Sequence, residues 1–176
     1  MQKKRIFKEI LSWVKTLVIV FACAFIINHT LIASALVISS SMENTIMTDS
    51  RVMGLRVAYI VGNPKRFDII LFQPPDDKTS VPYVKRIIGL PNEKVEIING
   101  KVYIDDSDTP LDDSFIKEEA LGDYGPFFVP ENSYFVLGDN RNGSYDSRFW
   151  VNKYVPRDSI QGKIYLEVFP SPHIFD

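Results

Sequence analysis

The 176-residue chain predicts an all-β extracytoplasmic domain carried by one N-terminal transmembrane helix, on three observations. Residues 16–42 contain no Asp, Glu, Lys or Arg, and 17–27 is an unbroken apolar run. Beyond residue 50 the pattern changes to short apolar runs punctuated by Gly, Pro, Asn and Asp, the signature of strands and tight turns. Asn99-Gly100 separates two such runs, and its tolerance of positive φ suits the type I′ turn of a hairpin. Composition agrees: 45% hydrophobic residues allow a core, 24% charged residues allow a surface, and the length leaves room for one catalytic-sized domain, not two.

Taken in order, residues 1–15 form a basic cytoplasmic N-terminus, 16–37 the transmembrane anchor, and 38–176 the extracytoplasmic β-rich domain. At ~1.5 Å rise per residue, 16–37 as a helix reaches about 30 Å, the thickness of the hydrocarbon core. Lys3, Lys4, Arg5, Lys8 and Lys15 outweigh Glu9 and stay inside, so the rest of the chain goes out. Ala33-Ser34-Ala35 has the A-x-A form of a cleavable signal, and cleavage after Ala35 would release a soluble domain instead. The expected strands are 51–60, 68–72, 82–88, Lys94–Ile98, Lys101–Ile104, Ser133–Leu137 and Ile160–Phe169. Residues 105–124, with seven acidic side chains before Gly122, read as an exposed excursion.

Several function classes fall away. Beyond residue 15 there are 15 cations against 21 anions and no basic stripe, so nucleic acid is not an expected partner. A single cysteine, Cys23, inside the apolar run excludes a disulfide framework and a cysteine metal cluster. The two histidines, His29 in the membrane segment and His173 in the tail, are badly placed for a Ser-His-Asp triad or a metal site. No metal or cofactor is expected, and any hydrolytic base must be something other than histidine.

Residues 83–88, Tyr-Val-Lys-Arg-Ile-Ile, carry a cation on each face of a strand. Burial favours a neutral lysine amine, which can serve as a base near neutral pH, whereas guanidinium keeps its charge and must be paired. Lys85 is therefore the candidate base and Arg86 the candidate structural ion; either is also what a half-exposed strand presents to solvent. A serine hydroxyl becomes a nucleophile when such a lysine takes its proton, and Ser39-Ser40-Ser41 lies in an uncharged setting after the anchor. By itself that triplet equally suits a cap or a linker. Residues 138–148, Gly-Asp-Asn-Arg-Asn-Gly-Ser-Tyr-Asp-Ser-Arg, have turn composition but more charges than a plain turn needs.

In order and spacing these blocks resemble the type I signal (leader) peptidase family, membrane-bound serine/lysine endopeptidases. Carrying the likeness are Ser41-Met42-Glu43-Asn44-Thr45, the run 68–72, Tyr-Val-Lys-Arg-Ile-Ile-Gly-Leu-Pro at 83–91, and Gly138 through Arg148. The single anchor and small domain are similar to the compact form typical of Gram-positive bacteria. The resemblance implies the signal-peptidase β-fold, shared with self-cleaving LexA-like repressors whose DNA-binding helices are missing here. It implies Ser41 as nucleophile, Lys85 as general base, Ser39 as an oxyanion donor beside the Ser41 N–H, and Ser144 orienting the lysine. Asp139, Asp146, Arg86 and Arg148 would brace the site through ion pairs. It also implies secretory precursors as partners, cut after small residues at −3 and −1 while bound as an extended strand at the membrane lipid surface.

The sequence departs from the family pattern at Asn44, where Pro is usual, at Ser40, at Phe67, where Gly is usual, and at Asn92-Glu93, where Gly-Asp is usual. Two other readings stand beside the peptidase: a non-catalytic signal-peptidase-like assembly factor or chaperone for surface or pilus subunits, and a secreted β-domain that binds without chemistry. Specialised clients of an active enzyme would be such surface or pilus subunits.

Overall fold

A computed structural model describes residues 2–60, 62–76, 79 and 81–175. The side chains of residues 2–5, 28 and 29 lie outside that set, and with them three of the cations on which the expected orientation rests, Lys3, Lys4 and Arg5. The chain forms two compact units, Met1–Ile32 and Ala33–Asp176.

The first unit is helix α1, Gln2–Thr30, whose stretch Ile6–Ile27 is long and apolar enough to cross a membrane. Its large apolar side chains are exposed all round, as a lipid-facing helix requires. Thr16 and Thr30 return their hydroxyls to the carbonyls of Ser12 (3.1 Å) and Ile26 (2.7 Å), hiding polar groups against the backbone. The helix differs in extent from the expected helical anchor, 16–37, at both ends. The helix begins within the basic segment and stops at Thr30, where Asn28-His29-Thr30 ends the apolar run. Ile32–Leu36 is instead strand β1, paired with β2 and burying Ala33, while Val37 beyond it is buried in the same core cluster. Pairing and core packing override the helix-compatible composition of this short segment.

The second unit is built of strands: β2 Arg51–Leu55, β3 Ile69–Phe72, β4 Tyr83–Gly89, β5 Lys94–Ile98, β6 Lys101–Ile104, β7 Tyr124–Phe128, β8 Ser133–Leu137, β9 Val155–Pro156, β10 Ile160–Phe169 and β11 His173–Ile174. The larger sheet runs β1-β2-β10-β3-β4-β8-β9, with β11 paired to β10. The smaller one runs β6-β5-β7. Asn99 and Gly100 take φ of 49° and 81° in the hairpin between β5 and β6, as the Asn-Gly signal predicts.

The expected strand 51–60 ends at Leu55 and continues as a 3₁₀ turn, Arg56–Tyr59, held by a 2.8 Å bond from the Tyr59 hydroxyl to Asp68. Gly54 is required before that turn, because a Cβ there would lie 1.9 Å from the carbonyl oxygen of Lys163. β7 and the two-residue strands β9 and β11 are additional to the expected set; such short pieces carry too little periodicity to stand out. Separate apolar clusters form around Met42, Val52 and Ile164, around Val95, Ile97 and Phe135, and around Ile70, Ile87 and Trp150. β4 supplies a residue to each, through Val84, Ile88 and Ile87 respectively, so its geometry is fixed from all sides.

Candidate active site

Ser41 lies in a 3₁₀ turn, Ser40–Met42, that follows the extended residue Ser39. Both Ser41 and Met42 are buried. The turn is clamped by the loop after β8: the Asn140 backbone N–H donates to the Ser41 carbonyl (3.1 Å), and its side-chain amide donates to the Ser40 carbonyl (3.1 Å). Gly138 makes the clamp possible, since a Cβ there would sit 2.3 Å from both the Ser41 carbonyl oxygen and Ser144 Oγ.

On β4, strand alternation sends Lys85 and Arg86 to opposite faces, in register with Ile70 and Ile69 of β3. Lys85 is 3% exposed, and its Nζ is hydrogen-bonded to Ser41 Oγ. Among the described residues it pairs with no carboxylate. Burial lowers its pKa from 10.5 to about 8; the charges of Asp146 and Asp139 oppose that shift and Arg148 reinforces it. The Tyr83 ring lies 5.8 Å from Nζ, and Ser39 Oγ lies 3.2 Å from Ser41 Oγ.

Arg86 is paired at every edge. Nε and Nη2 meet Asp139 Oδ1 (2.9 Å) and Oδ2 (2.6 Å) in a fork, and Nη1 donates to the Phe67 carbonyl (3.0 Å). Thr45 adds a hydroxyl to Asp139 Oδ2 at 2.5 Å. A second buried fork joins Arg148 to Asp146 at 2.8 and 2.9 Å, and Asp146 also accepts the Gly138 N–H at 3.1 Å. Arg148 continues to the Arg141 carbonyl at 2.6 Å. Both ion pairs are therefore satisfied in the manner that buried charge demands.

Ser41 and Lys85 line a groove of about 320 Å³, mostly apolar, to which residues 35–39, residues 81–84, Gly143 and Tyr145 also contribute. The sequence-derived set Ser39, Ser41, Lys85, Arg86, Asp139, Asp146 and Arg148 thus converges. Ser144 sits against Gly138 in the same loop, but its buried Oγ has no hydrogen-bond partner among the described residues, and the lysine is held by Ser41 instead.

Five contributors lie outside the sequence-derived set. Thr45 and Asn140 belong to blocks the sequence singles out, without a role that spacing alone could assign. Arg141, 1% exposed, pairs with Asp113 at 2.8 Å, and Phe115 faces Arg86; no local pattern marks Asp113 or Phe115 within the acidic excursion.

Three of the departures from the family pattern lie on left-handed backbone: Asn44, Phe67 and Asn92 adopt φ of 87°, 70° and 69°, a region closed to the Pro usual at 44 and costly for the bulky side chain at 67. Glu93 receives the Arg66 guanidinium at 2.6 and 3.0 Å and the Leu90 N–H at 2.7 Å.

Residues 10–169 match the family described as "Signal peptidase, peptidase S26". A probable signal peptidase I-2 of Synechocystis sp. is 37% identical over 151 residues, covering 83% of this chain and 67% of that protein. Signal peptidase I P of Bacillus subtilis subsp. natto is 36% identical over 181 residues, covering 97% and 96% respectively. A crystal structure of a signal peptidase I from Enterococcus faecalis is 34% identical, with a TM-score of 0.47 over 58% of this chain and 97% of that one.

Proposed function

The chain belongs to the signal peptidase family, peptidase S26, and we propose that this peptidase removes signal peptides from secretory precursors through a Ser41–Lys85 dyad, cutting after small residues at −3 and −1. The observation that carries the reading is the buried Lys85 amine, hydrogen-bonded to Ser41 Oγ and lacking a carboxylate partner among the described residues. A lysine held near pKa 8 is partly neutral at pH 7 and can accept the serine proton.

The precursor lies extended in the groove between 35–39 and 81–84, and the apolar walls accept small side chains. Ser41 Oγ attacks the scissile carbonyl as its proton passes to Lys85 Nζ. The resulting oxyanion accepts hydrogen bonds from the Ser41 backbone N–H and the Ser39 hydroxyl, donors of a kind worth about 3–4 kcal/mol each to the transition state. Lys85 then protonates the departing amine, leaving an ester on Ser41. A water that gives its proton to Lys85 hydrolyses the ester, and collapse returns the proton to Ser41. Arg86–Asp139 and Arg148–Asp146 keep the surrounding charges fixed while the lysine changes state. Ser144, on this reading, orients Lys85 once substrate is bound.

In the membrane the chain is single-pass, with residues 1–15 cytoplasmic and the β-domain outside, on the side where translocated precursors emerge.

The test is cleavage of a precursor whose signal ends in Ala-x-Ala, by full-length protein in lipid, beside Ser41→Ala and Lys85→Ala. Cleavage by wild type that disappears in both variants is the expected result. A wild type that binds the precursor without cutting it would make the chain an assembly factor instead.

A further inference from the structure

The excursion between β6 and β7 is fastened to the catalytic loop at two points. Near its middle, Asp113 pairs with the buried Arg141 at 2.8 Å. Towards its end, the Asn142 side chain accepts from the Leu121 N–H (2.8 Å) and donates to the Glu119 carbonyl (3.1 Å). Phe115 lies between these attachments, and its ring covers the Arg86 guanidinium with the carbon 4.1 Å from the ring centroid. The edges of that guanidinium are already taken by Asp139 and the Phe67 carbonyl, and the ring adds cover over one face.

Two residues hold the ring in place. The Asn44 side chain donates to the Phe115 carbonyl at 2.6 Å, and Phe67 meets the ring edge-on at 5.4 Å. Both occupy left-handed backbone, and both stand where the family pattern has another residue. Phe67 adopts φ of 70° at the expense a bulky side chain incurs there, and in doing so aims its carbonyl at Arg86 and its ring at Phe115. The two departures therefore meet on one side chain.

We propose that Phe115 is a positioning residue for the catalytic lysine: its ring seals the Arg86–Asp139 pair from water, and Asn44 and Phe67 hold it there. This rests on the Ser41–Lys85 reading. The charged groups acting on Lys85 are Asp146, Asp139 and Arg148, with the Tyr83 ring beside it. Water admitted to the Arg86–Asp139 fork loosens it, leaves more of the Asp139 charge uncompensated, and strengthens proton binding at Lys85.

The experiment compares Phe115→Leu with Phe115→Tyr in full-length protein in lipid, reading kcat and KM for an Ala-x-Ala precursor peptide from pH 6 to 10. Leu keeps apolar bulk and lacks the aromatic face, whereas Tyr keeps the face. Phe115→Leu is expected to move the acid limb of kcat upward by about half a pH unit, lowering kcat about threefold at pH 7 with KM unchanged. Phe115→Tyr should restore the wild-type limb. Asn44→Ala should shift the limb in the same direction as Phe115→Leu and add little to it in the double variant. A limb that stays put in Phe115→Leu, or a loss of kcat by one factor at every pH, would overturn the proposal. Lys85→Ala separates the two claims: if it still cuts, the dyad is wrong; if it is inactive while Phe115→Leu behaves as wild type, only the role of Phe115 fails.

Discussion

Lys85 and Arg86 are consecutive cations on β4, 3% and 6% exposed, and their surroundings differ completely. Arg86 meets a forked carboxylate, a carbonyl and an aromatic face, whereas Lys85 meets a serine hydroxyl and an aromatic ring. The difference follows from what each can do with its proton. A guanidinium stays charged, so its burial is tolerable only with full pairing. An amine can shed its charge, and leaving it unpaired is what makes it a base. One strand thus holds a fixed charge and a switchable one, side by side and facing opposite ways.

The comparison breaks most severely if the switchable cation is made permanent. Lys85→Arg keeps charge and bulk but cannot accept the Ser41 proton, and cutting should fall by about 10²–10⁴-fold, the usual contribution of a general base. Steady-state cleavage of an Ala-x-Ala precursor reads this directly. Removing the fixed cation acts on stability: Arg86→Met strands Asp139 in the interior and should cost about 3–5 kcal/mol in denaturant unfolding of the enzyme in detergent. Arg86→Lys sharpens the contrast, because charge survives while the fork and the stacked face are lost; about 1–3 kcal/mol is expected by the same measurement. The exposed pair Lys101–Glu119, 3.7 Å apart, is the control, and Lys101→Ala should change stability by less than about 0.5 kcal/mol.

Both cations of β4 were legible in the sequence because strand alternation assigns faces from order alone, and the Ser41, Lys85 and 138–148 blocks carry the family likeness. The hairpin at Asn99-Gly100 was legible for a similar reason, since its turn chemistry is local. What escaped depends on contacts between distant residues. Residues 32–36 read as anchor because they are uncharged and apolar, and only pairing with β2 makes them a strand. Phe115 and Asp113 sit in a segment whose composition signals solvent, yet one covers Arg86 and the other neutralises a buried arginine. Asn44 and Phe67 are separate departures in the sequence, and only the fold brings both to Phe115. The resemblance assigns Ser144 to orient the lysine, yet its hydroxyl has no hydrogen-bond partner among the described residues, and a local motif says little about side-chain direction.

The central claim is that Lys85 works as a neutral amine, and the pH dependence of single-turnover cleavage by the full-length enzyme in lipid tests it most directly. The deprotonated form is the active one, so the rate should climb tenfold per unit at low pH and level off through a single ionisation near 8. A limb at or above about 9.5, close to the free-lysine value of about 10.4, would contradict it.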